Sequence, residues 1–350
     1  MGSSRRDVIK ALGMVPLAMF LPGIARAGMP AFAELKEGYR RRLKRILASG
    51  HLPYIDIESS CNANKLDIDA LANRMDALNI GLMAMSSDIG NGAFEKGTRD
   101  DHFSEKLVAA FPDYFIPVGN GGQGPALMEA TDEFLDAQEQ DILGKQIMLL
   151  GEYEFRHYPS SRQAKRGELD RDVSVPIDGP IGQRVFGMSE KTGVSFQIHY
   201  EVEDALLPPL ESMLAKYPGA KVIWCHFTDI RYIERNTRYS PAYVDDLLRR
   251  FPNLHFDTAI SPAGSIYPLS GQRQGRIWAD DGSMRPEWLE VMTAHPSRFF
   301  SALDLGGDRI HRIDEYDGRH RIFLGCLPED LRHQVAYRNA WRLLFGEEFS

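Results

Sequence analysis

The sequence predicts a single (β/α)8 barrel, an α/β fold of the TIM-barrel type in which eight parallel strands alternate with helices. Eight short apolar segments of strand length follow one another along the chain, and helical patterns fill most of the intervals. Several of these segments end in an acidic or imidazole side chain. Catalytic groups at the carboxyl ends of parallel strands are typical of barrel enzymes.

The predicted strands and helices alternate in a regular order. The strands are predicted at 54–58, 80–86, 114–119, 146–152, 194–199, 220–226, 253–258 and 298–304. The clearest helical patterns cover 67–78, 125–142, 204–217, 242–251 and 286–294, after a basic helix at 30–48. Turns such as Phe251-Pro252-Asn253 end a helix directly before a strand, because proline cannot continue the helix. Long connections follow four of the strands, which is the asymmetry expected of a barrel enzyme.

Composition and motifs exclude several other classes of protein. The 350 residues, of which 43% are hydrophobic and 26% charged, suit one large barrel domain. A formal net charge of −8 argues against a nucleic-acid partner, since phosphate binding needs a basic face. No G-x-G-x-x-G or Walker sequence follows a strand, so nucleotide-binding folds lack support. The three cysteines, Cys61, Cys225 and Cys326, lack metal-binding spacing, and Cys225 is predicted to be a buried packing residue.

Residues 1–27 resemble a twin-arginine signal peptide. Arg5 and Arg6 precede a short, weakly apolar stretch, and residues 25–27 have the pattern of a cleavage site. The stretch is short and broken by prolines, so it is poorly suited to span a bilayer of about 30 Å. An apolar helix that packs on the protein is the alternative. We therefore expect an exported, periplasmic protein with a mature domain at 28–350 and no stable membrane insertion.

Two histidines end consecutive predicted strands. Strand alternation in VSFQIHY places Gln197 and His199 on one face, and KVIWCHF ends at His226 in the same way. Either histidine alone would be more typical of a structural residue. Two histidines at matching positions favour a pair of metal ligands.

Carboxylates follow two further predicted strands. Asp304 ends the eighth strand, where one oxygen can bind a metal and the other can take a proton from bound water. A helix cap or a loop ion pair is the alternative for Asp304. Glu152 and Glu154 end the fourth strand, and one of them is a candidate ligand. Arg156 and His157, just beyond, are candidates to hold an anionic substrate, unless the four form only a charged loop.

With these residues, the chain resembles the amidohydrolase superfamily, specifically its amidohydrolase-related branch of metal-dependent hydrolases and decarboxylases. The likeness runs from about residue 54 to residue 345. It rests on His199, His226 and Asp304, on the segment YVDDLLRRFPNLHFDT, and on the tail LPEDLRHQVAYRNAWRLLF. The resemblance implies the barrel fold and a divalent metal at the carboxyl ends of the strands.

The first strand departs from the family pattern. The family places His-x-His directly after Ile-Asp-x, whereas here Glu58 and Ser60 stand at the two histidine positions. One carboxylate in place of two imidazoles should weaken zinc binding and favour a harder ion such as Mn²⁺. We therefore expect a divalent cation, Zn²⁺ or Mn²⁺. Its predicted ligands are Glu58, Glu152, His199, His226 and Asp304.

The predicted function is hydrolysis of an ester, lactone or amide by a metal-activated water. Asp304 is the predicted general base and His226 a ligand or a stabiliser of the transition state, while Arg156, His157 and Tyr200 are predicted to contact a small-molecule substrate. One alternative is non-oxidative decarboxylation of an aromatic or unsaturated acid, ranked lower because the acidic residues would repel the substrate. Another is a non-catalytic barrel that has lost its first-strand ligands. The sequence leaves homo-oligomer formation open.

Overall fold

The computed structural model describes residues 30–87, 102–121, 132–144, 147–306 and 309–350. The predicted signal peptide lies outside these ranges, so it stays a prediction. Among the helices in the described ranges, none combines the length and the hydropathy needed to cross a bilayer.

All eight predicted strand positions contain a strand. The strands are β1 (Ile55–Cys61), β2 (Leu82–Ser87), β3 (Phe115–Ile116), β4 (Val118–Asn120), β5 (Leu149–His157), β6 (Val173–Ser174), β7 (Ser195–Tyr200), β8 (Lys221–Trp224), β9 (Leu254–Asp257) and β10 (Phe299–Phe300). β3 and β4 share the third predicted position and are separated by Pro117, which has no N–H to donate to a strand ladder. β6 was not predicted and pairs antiparallel with the end of β5.

The strands form two sheets that are mostly parallel, and neighbouring strands in each sheet are mostly neighbours along the chain. One sheet has the order β1-β2-β3, and the other has the order β4-β5-β7-β8-β9-β10. The segment after β10 lies beside β1, because the N–H of Asp304 donates to the carbonyl of Glu58 at 2.9 Å and the N–H of Ser60 donates to that of Leu305 at 3.0 Å. These bonds bring the first and last strands together, as the predicted barrel requires.

Helices connect most of the parallel strands. They are α1 (Phe32–Ala48), α2 (Ile68–Leu78), α3 (Phe103–Ala110), α4 (Asp132–Leu143), α5 (Ser161–Arg166), α6 (Pro180–Thr192), α7 (Leu207–Lys216), α8 (Pro241–Arg250), α9 (Pro286–Ala294), α10 (Ile313–Gly325), α11 (Glu329–His333) and α12 (Asn339–Phe345). A 3₁₀ turn at Arg309–Arg312 leads into α10, and a π-helical turn at Gln334–Arg338 joins α11 to α12. The first part of the helix predicted at 125–142 lies outside the described residues, whereas α4 confirms its second part.

Local sequence explains where these helices begin and which face they bury. The side chain of Asp67 accepts from the N–H of Ala70 at 2.9 Å, which caps the start of α2. Leu71 and Met75, one turn apart on α2, are buried against the sheet. Strands such as β7 are buried along their whole length, as expected when helices cover one face of the sheet and packed side chains the other. This arrangement leaves the carboxyl ends of the strands as the place where polar side chains meet.

Candidate metal centre

Glu152 within β5, His199 near the end of β7 and His226 just after β8 meet in one cluster. The strand predicted to end at Glu152 continues to His157. Oε1 of Glu152 lies 2.8 Å from Nδ1 of His199 and 3.3 Å from Nε2 of His226. The two ring nitrogens are themselves 3.1 Å apart. Two imidazole nitrogens and a carboxylate oxygen that converge this closely form a donor set suited to a divalent cation.

The backbone around His226 fixes the direction of its ring. His226 follows β8 with a φ of 62°, and its N–H donates to Oδ1 of Asp257 at 2.8 Å. Its Nδ1 lies 3.2 Å from the carbonyl oxygen of Ala259, an acceptor that favours a proton on Nδ1. A proton on Nδ1 leaves the lone pair of Nε2 directed towards Glu152, as a metal ligand requires. Positive φ is uncommon for a residue with a side chain and here turns the ring into the cluster.

Two glycines allow Glu152 to reach its position. A Cβ at Gly121 would overlap the carbonyl oxygen of Glu152, and a Cβ at Gly151 would overlap the side-chain amide of Gln197. Only glycine permits backbone to approach this closely at both points. The cluster therefore depends on small residues that carry no functional group of their own.

Glu58 and Asp257 add buried carboxylates next to the two histidines. Oε1 of Glu58 lies 3.8 Å from Nε2 of His226. Oε2 of Glu58 and Oδ2 of Asp257 are buried and make no hydrogen bond within the described part of the chain. Burial, and after it the charges of Asp257 and Glu152, raises the pKa of Glu58 well above its usual value. Buried carboxylate oxygens of this kind are costly unless a proton or a cation satisfies them, so the residues present fit a metal.

The charges of the cluster are strongly linked. Burial opposes a charge on His226, but the hydrogen bond that its ring donates to Glu152 and the negative charge of Glu152 outweigh burial and raise the pKa of His226 to about 10. Burial would also lower the pKa of His199, but Glu152 outweighs burial and raises it. Burial would raise the pKa of Glu152, yet the two histidines lower it well below the usual range. A cation bound here would displace protons from the imidazoles, so we expect its affinity to rise with pH.

Asp304 lies at the edge of the cluster. It is absent from the groups of converging donor atoms found among the described residues. Its side chain is 47% exposed, and its Oδ1 accepts from Nη2 of Arg309 at 3.2 Å. Its negative charge still contributes to the raised pKa of His226. The predicted roles of Asp304 as ligand and general base thus stay predictions.

Of the three predicted substrate contacts, only His157 borders the cluster. Its ring centroid is 4.3 Å from that of His199, and burial lowers its pKa well below the usual value. Arg156 instead pairs with Asp172 and donates to the carbonyl of Val173, at the unpredicted strand β6.

The hydroxyl of Tyr200, the third of these residues, is hydrogen-bonded to the backbone of the following connection. It donates to the carbonyl of Leu206 at 3.1 Å. Neither Tyr200 nor Arg156 lines the cavity that holds the cluster. Their expected contacts with a substrate therefore find no support in the geometry.

Several residues at the site were not predicted from the sequence. Asp257 ends β9, so the rule of acidic strand ends would have found it. Arg231 lies in the long connection after β8, where it pairs with Glu201 and places Nη1 3.3 Å from Nε2 of His199. Arg171 lies in the connection after β5 and pairs with Glu154. The sequence of a long connection does not indicate which of its positively charged side chains will lie beside the strand ends.

The pKa values of Cys225 and Glu201 are shifted in opposite directions by their surroundings. The Cys225 thiol is buried, and burial raises its pKa well above the usual value, as expected of a packing residue. Burial would raise the pKa of Glu201, but the charge of Arg231 outweighs it and lowers that pKa to about 2. Glu201 is therefore a carboxylate at neutral pH and holds Arg231 beside His199.

Two adjoining cavities give access to the cluster. The inner cavity has a volume of about 110 Å³ and contains the side chains of Glu58, Glu152, His199 and His226. The outer cavity has a volume of about 520 Å³. Both are lined by Ser160, His226, Arg231, Asp304 and Arg309. A small molecule in the outer cavity would thus reach the candidate metal position.

The fold of the chain, but not its sequence, is similar to that of known proteins. No protein-family model and no curated protein matches the chain. Among solved structures, it is similar to 2,6-dihydroxybenzoate decarboxylase from Rhizobium, with 15% identity over 83% of this chain and 98% of that one and a TM-score of 0.50. It is also similar to a dihydroxybenzoic acid decarboxylase from Polaromonas sp. JS666 with bound manganese, with 14% identity over 83% and 96% of the two chains and a TM-score of 0.49.

A further similar structure is 4-oxalomesaconate hydratase from Rhodopseudomonas palustris. It shares 12% identity over 91% of this chain and 93% of that one, with a TM-score of 0.48. At this level of identity the comparisons concern the fold alone. The chain has the fold of 2,6-dihydroxybenzoate decarboxylase from Rhizobium.

Proposed function

We propose that the protein is a metal-dependent enzyme that hydrolyses an ester, a lactone or an amide. The observation that carries the proposal is the convergence of His199, His226 and Glu152 beside the buried, unpaired carboxylate oxygens of Glu58 and Asp257. These side chains would hold a divalent cation, Mn²⁺ or Zn²⁺. When bound, such a cation polarises a carbonyl group and lowers the pKa of a coordinated water.

The surrounding side chains have separate tasks in this proposal. Asp304, where the two cavities meet, would accept a proton from the attacking water. Arg309 holds one oxygen of Asp304 and leaves the other for that proton. Arg231, next to His199, supplies a fixed positive charge for an oxyanion that forms near the cluster. His157 borders the same cavity, and burial lowers its pKa, so it would contact the substrate as an uncharged ring.

Non-oxidative decarboxylation is a second candidate, favoured by the positive charges at the site. From the sequence alone, Glu58, Glu152 and Glu154 were expected to repel a carboxylate substrate. In the fold, however, Glu154 is paired with Arg171, and arginines line both cavities. The Rhizobium protein of similar fold is named as a decarboxylase of an aromatic acid, which makes such acids reasonable compounds to test.

Metal analysis of the purified protein tests both reactions together. We expect about one divalent cation per chain, lost on chelation together with activity and restored by Mn²⁺ or Zn²⁺. A panel of esters, lactones and amides, and separately of dihydroxybenzoic acids with detection of released CO₂, distinguishes hydrolysis from decarboxylation. Activity that is unchanged in metal-free protein would contradict the proposal. Full function of His199→Ala in cells would instead support a non-catalytic barrel.

We also propose that residues 1–27 direct export to the periplasm by the twin-arginine route. The basis is the arginine pair followed by a short apolar stretch and small residues. Cell fractionation of the full chain and of the Arg5→Lys/Arg6→Lys variant tests this proposal. We expect the variant to stay in the cytoplasm, and equal export of both chains would contradict it.

A further inference from the structure

The outer cavity carries an excess of positive charge. Seven of its lining side chains are arginine or lysine, and only Asp229 and Asp304 are carboxylates. The buried acidic residues Glu58 and Glu152 line the inner cavity instead. Cations therefore outnumber carboxylates in the outer cavity, whereas the inner cavity is lined by four carboxylates and three arginines. A cleft lined by one sign of charge concentrates ligands of the opposite sign.

One group of these cations is built around a single tyrosine ring. Arg309, Arg312 and Arg319 place their guanidinium carbons 5.5, 5.6 and 5.5 Å from the ring centroid of Tyr316. Spacings of three and four residues put these side chains on one side of the turn before α10 and of α10 itself. Nη1 of Arg309 also donates to the hydroxyl of Tyr316 at 2.9 Å. The ring thus holds three guanidinium groups side by side at the cavity.

The nearby carboxylate neutralises only part of this charge. Glu315 pairs with both Arg312 and Arg319, and it does not line the cavity. One carboxylate cannot accept from every N–H of two guanidinium groups. Arg312 and Arg319 therefore each keep N–H donors that Glu315 does not bind. We name Arg309, Arg312, Tyr316 and Arg319 the arginine face.

The second group of cations lies on α5. Arg162, Lys165 and Arg166 all line the outer cavity. Arg166 pairs with Glu168 through two bonds of 2.6 Å, whereas Lys165 forms no ion pair with any residue in the described part of the chain. Lys165 is exposed, so its charge is available to a ligand.

We propose that the substrate of the metal centre carries an anionic group remote from the bond that reacts, a carboxylate or a phosphate, bound in the outer cavity by the arginine face and Lys165. The inference rests on the proposed function, since the bond that reacts is taken to lie at the cluster. Guanidinium groups bind carboxylates and phosphates through paired, charge-assisted hydrogen bonds, which a neutral substrate could not make. A cavity of about 520 Å³ is also within the usual range for small-molecule sites.

Binding of simple anions tests this inference without any catalysis. Glutarate and inorganic phosphate would be titrated calorimetrically into the metal-loaded protein and into the Arg312→Gln/Lys165→Gln variant. We expect at least one of the two anions to bind at least about 10-fold more weakly to the variant, because each charge-assisted bond is strong enough to produce such a change. The anion whose binding weakens shows whether the site recognises a carboxylate or a phosphate. If neither anion is affected, any binding is to the metal alone, and the inference is wrong.

A matched control removes the same charges elsewhere. Arg249 and Lys191 are both 64% exposed on other helices and line neither cavity. Arg249→Gln/Lys191→Gln should bind both anions as the unmodified protein does. An equal loss of affinity in this control would show a general charge effect and would overturn the inference.

A pair of esters separates this inference from the proposed function. We would compare 4-nitrophenyl butyrate with the mono-4-nitrophenyl ester of glutaric acid, which adds a remote carboxylate. We expect kcat/KM to favour the charged ester by about 10-fold, and the preference to disappear in Arg312→Gln/Lys165→Gln through a rise in KM. Hydrolysis without this preference would overturn the inference and leave the proposed function standing. Variant-sensitive anion binding without hydrolysis of either ester would count against ester hydrolysis and support the anion site.

Discussion

Nε2 of His226 lies 3.1 Å from Nδ1 of His199, although the two residues are 27 positions apart in the chain. Oε1 of Glu152 contacts both nitrogens, so its negative charge favours a proton or a metal cation between the two rings. This relationship is the basis of the metal assignment and of the first prediction.

Removal of either histidine should abolish tight metal binding. Loss of outer hydrogen-bond partners of a metal ligand typically lowers affinity by about 10–100-fold, and loss of the ligand itself should cost more. We therefore expect His226→Ala to bind Mn²⁺ or Zn²⁺ at least about 100-fold more weakly in a competition titration. His51 is exposed and remote from the strand ends, so His51→Ala is the matched control. Unchanged affinity in His226→Ala would remove His226 from the ligand set.

Asp304→Asn should separate catalysis from metal binding. Asp304 is not among the converging donor atoms in the described residues, yet it lies where the two cavities meet. If it is the general base, its amide analogue should lower kcat by about 100-fold or more. The metal content, measured on the same sample, should stay unchanged. Parallel loss of metal and activity would identify Asp304 as a ligand instead.

Gly121→Ala should disturb the cluster without touching any functional side chain. The added methyl group would overlap the carbonyl oxygen of Glu152 and force that residue to move. We expect metal affinity to fall and the free energy of unfolding to drop by about 1–3 kcal/mol, as for other overpacked sites. Gly318 lies within α10 with open space around its Cβ position, so Gly318→Ala should be stabilising or neutral. A fully metal-loaded Gly121→Ala protein of normal stability would contradict the expected clash.

The Glu201–Arg231 pair should make stability depend on acid pH. The pKa of Glu201 is about 2 in the folded chain, below the usual value of about 4.3 for glutamate in an unfolded chain. The stabilising contribution is therefore complete above about pH 4.3, and it is lost as the pH falls towards 2.

Breaking this pair should be costly at neutral pH. Glu201→Gln leaves Arg231 buried without its counter-charge, so we expect a loss of about 3–5 kcal/mol in the free energy of unfolding at pH 7. The difference from the unmodified protein should shrink below about pH 4 in denaturant titrations. Glu287→Gln, at a side chain that is 49% exposed, is the control with little expected effect. A difference that does not vary with pH would rule out the proposed charge linkage.

The parallel order of the strands could be predicted because it depends on local patterns. Apolar segments such as the one that ends at His199 match β7, and a turn with proline before a strand marks the end of the preceding helix. Strand alternation also placed Gln197 and His199 on one face, and both line the inner cavity. The pairing of β5 with β6 was not predicted, and it places the Arg156 side chain beside Asp172.

The sequence by itself determined the alternation of strands and helices, and it identified the acidic and imidazole groups that end several strands. Tertiary structure alone decided which of them converge. Glu152, His199 and His226 meet because three strands end at the same edge, whereas Asp304 turns towards Arg309. Tertiary structure also gathered the arginine face over the outer cavity. Side-chain patterns repeat over a few residues, but a site needs atoms within a few ångströms, and only the packing of distant segments sets those distances.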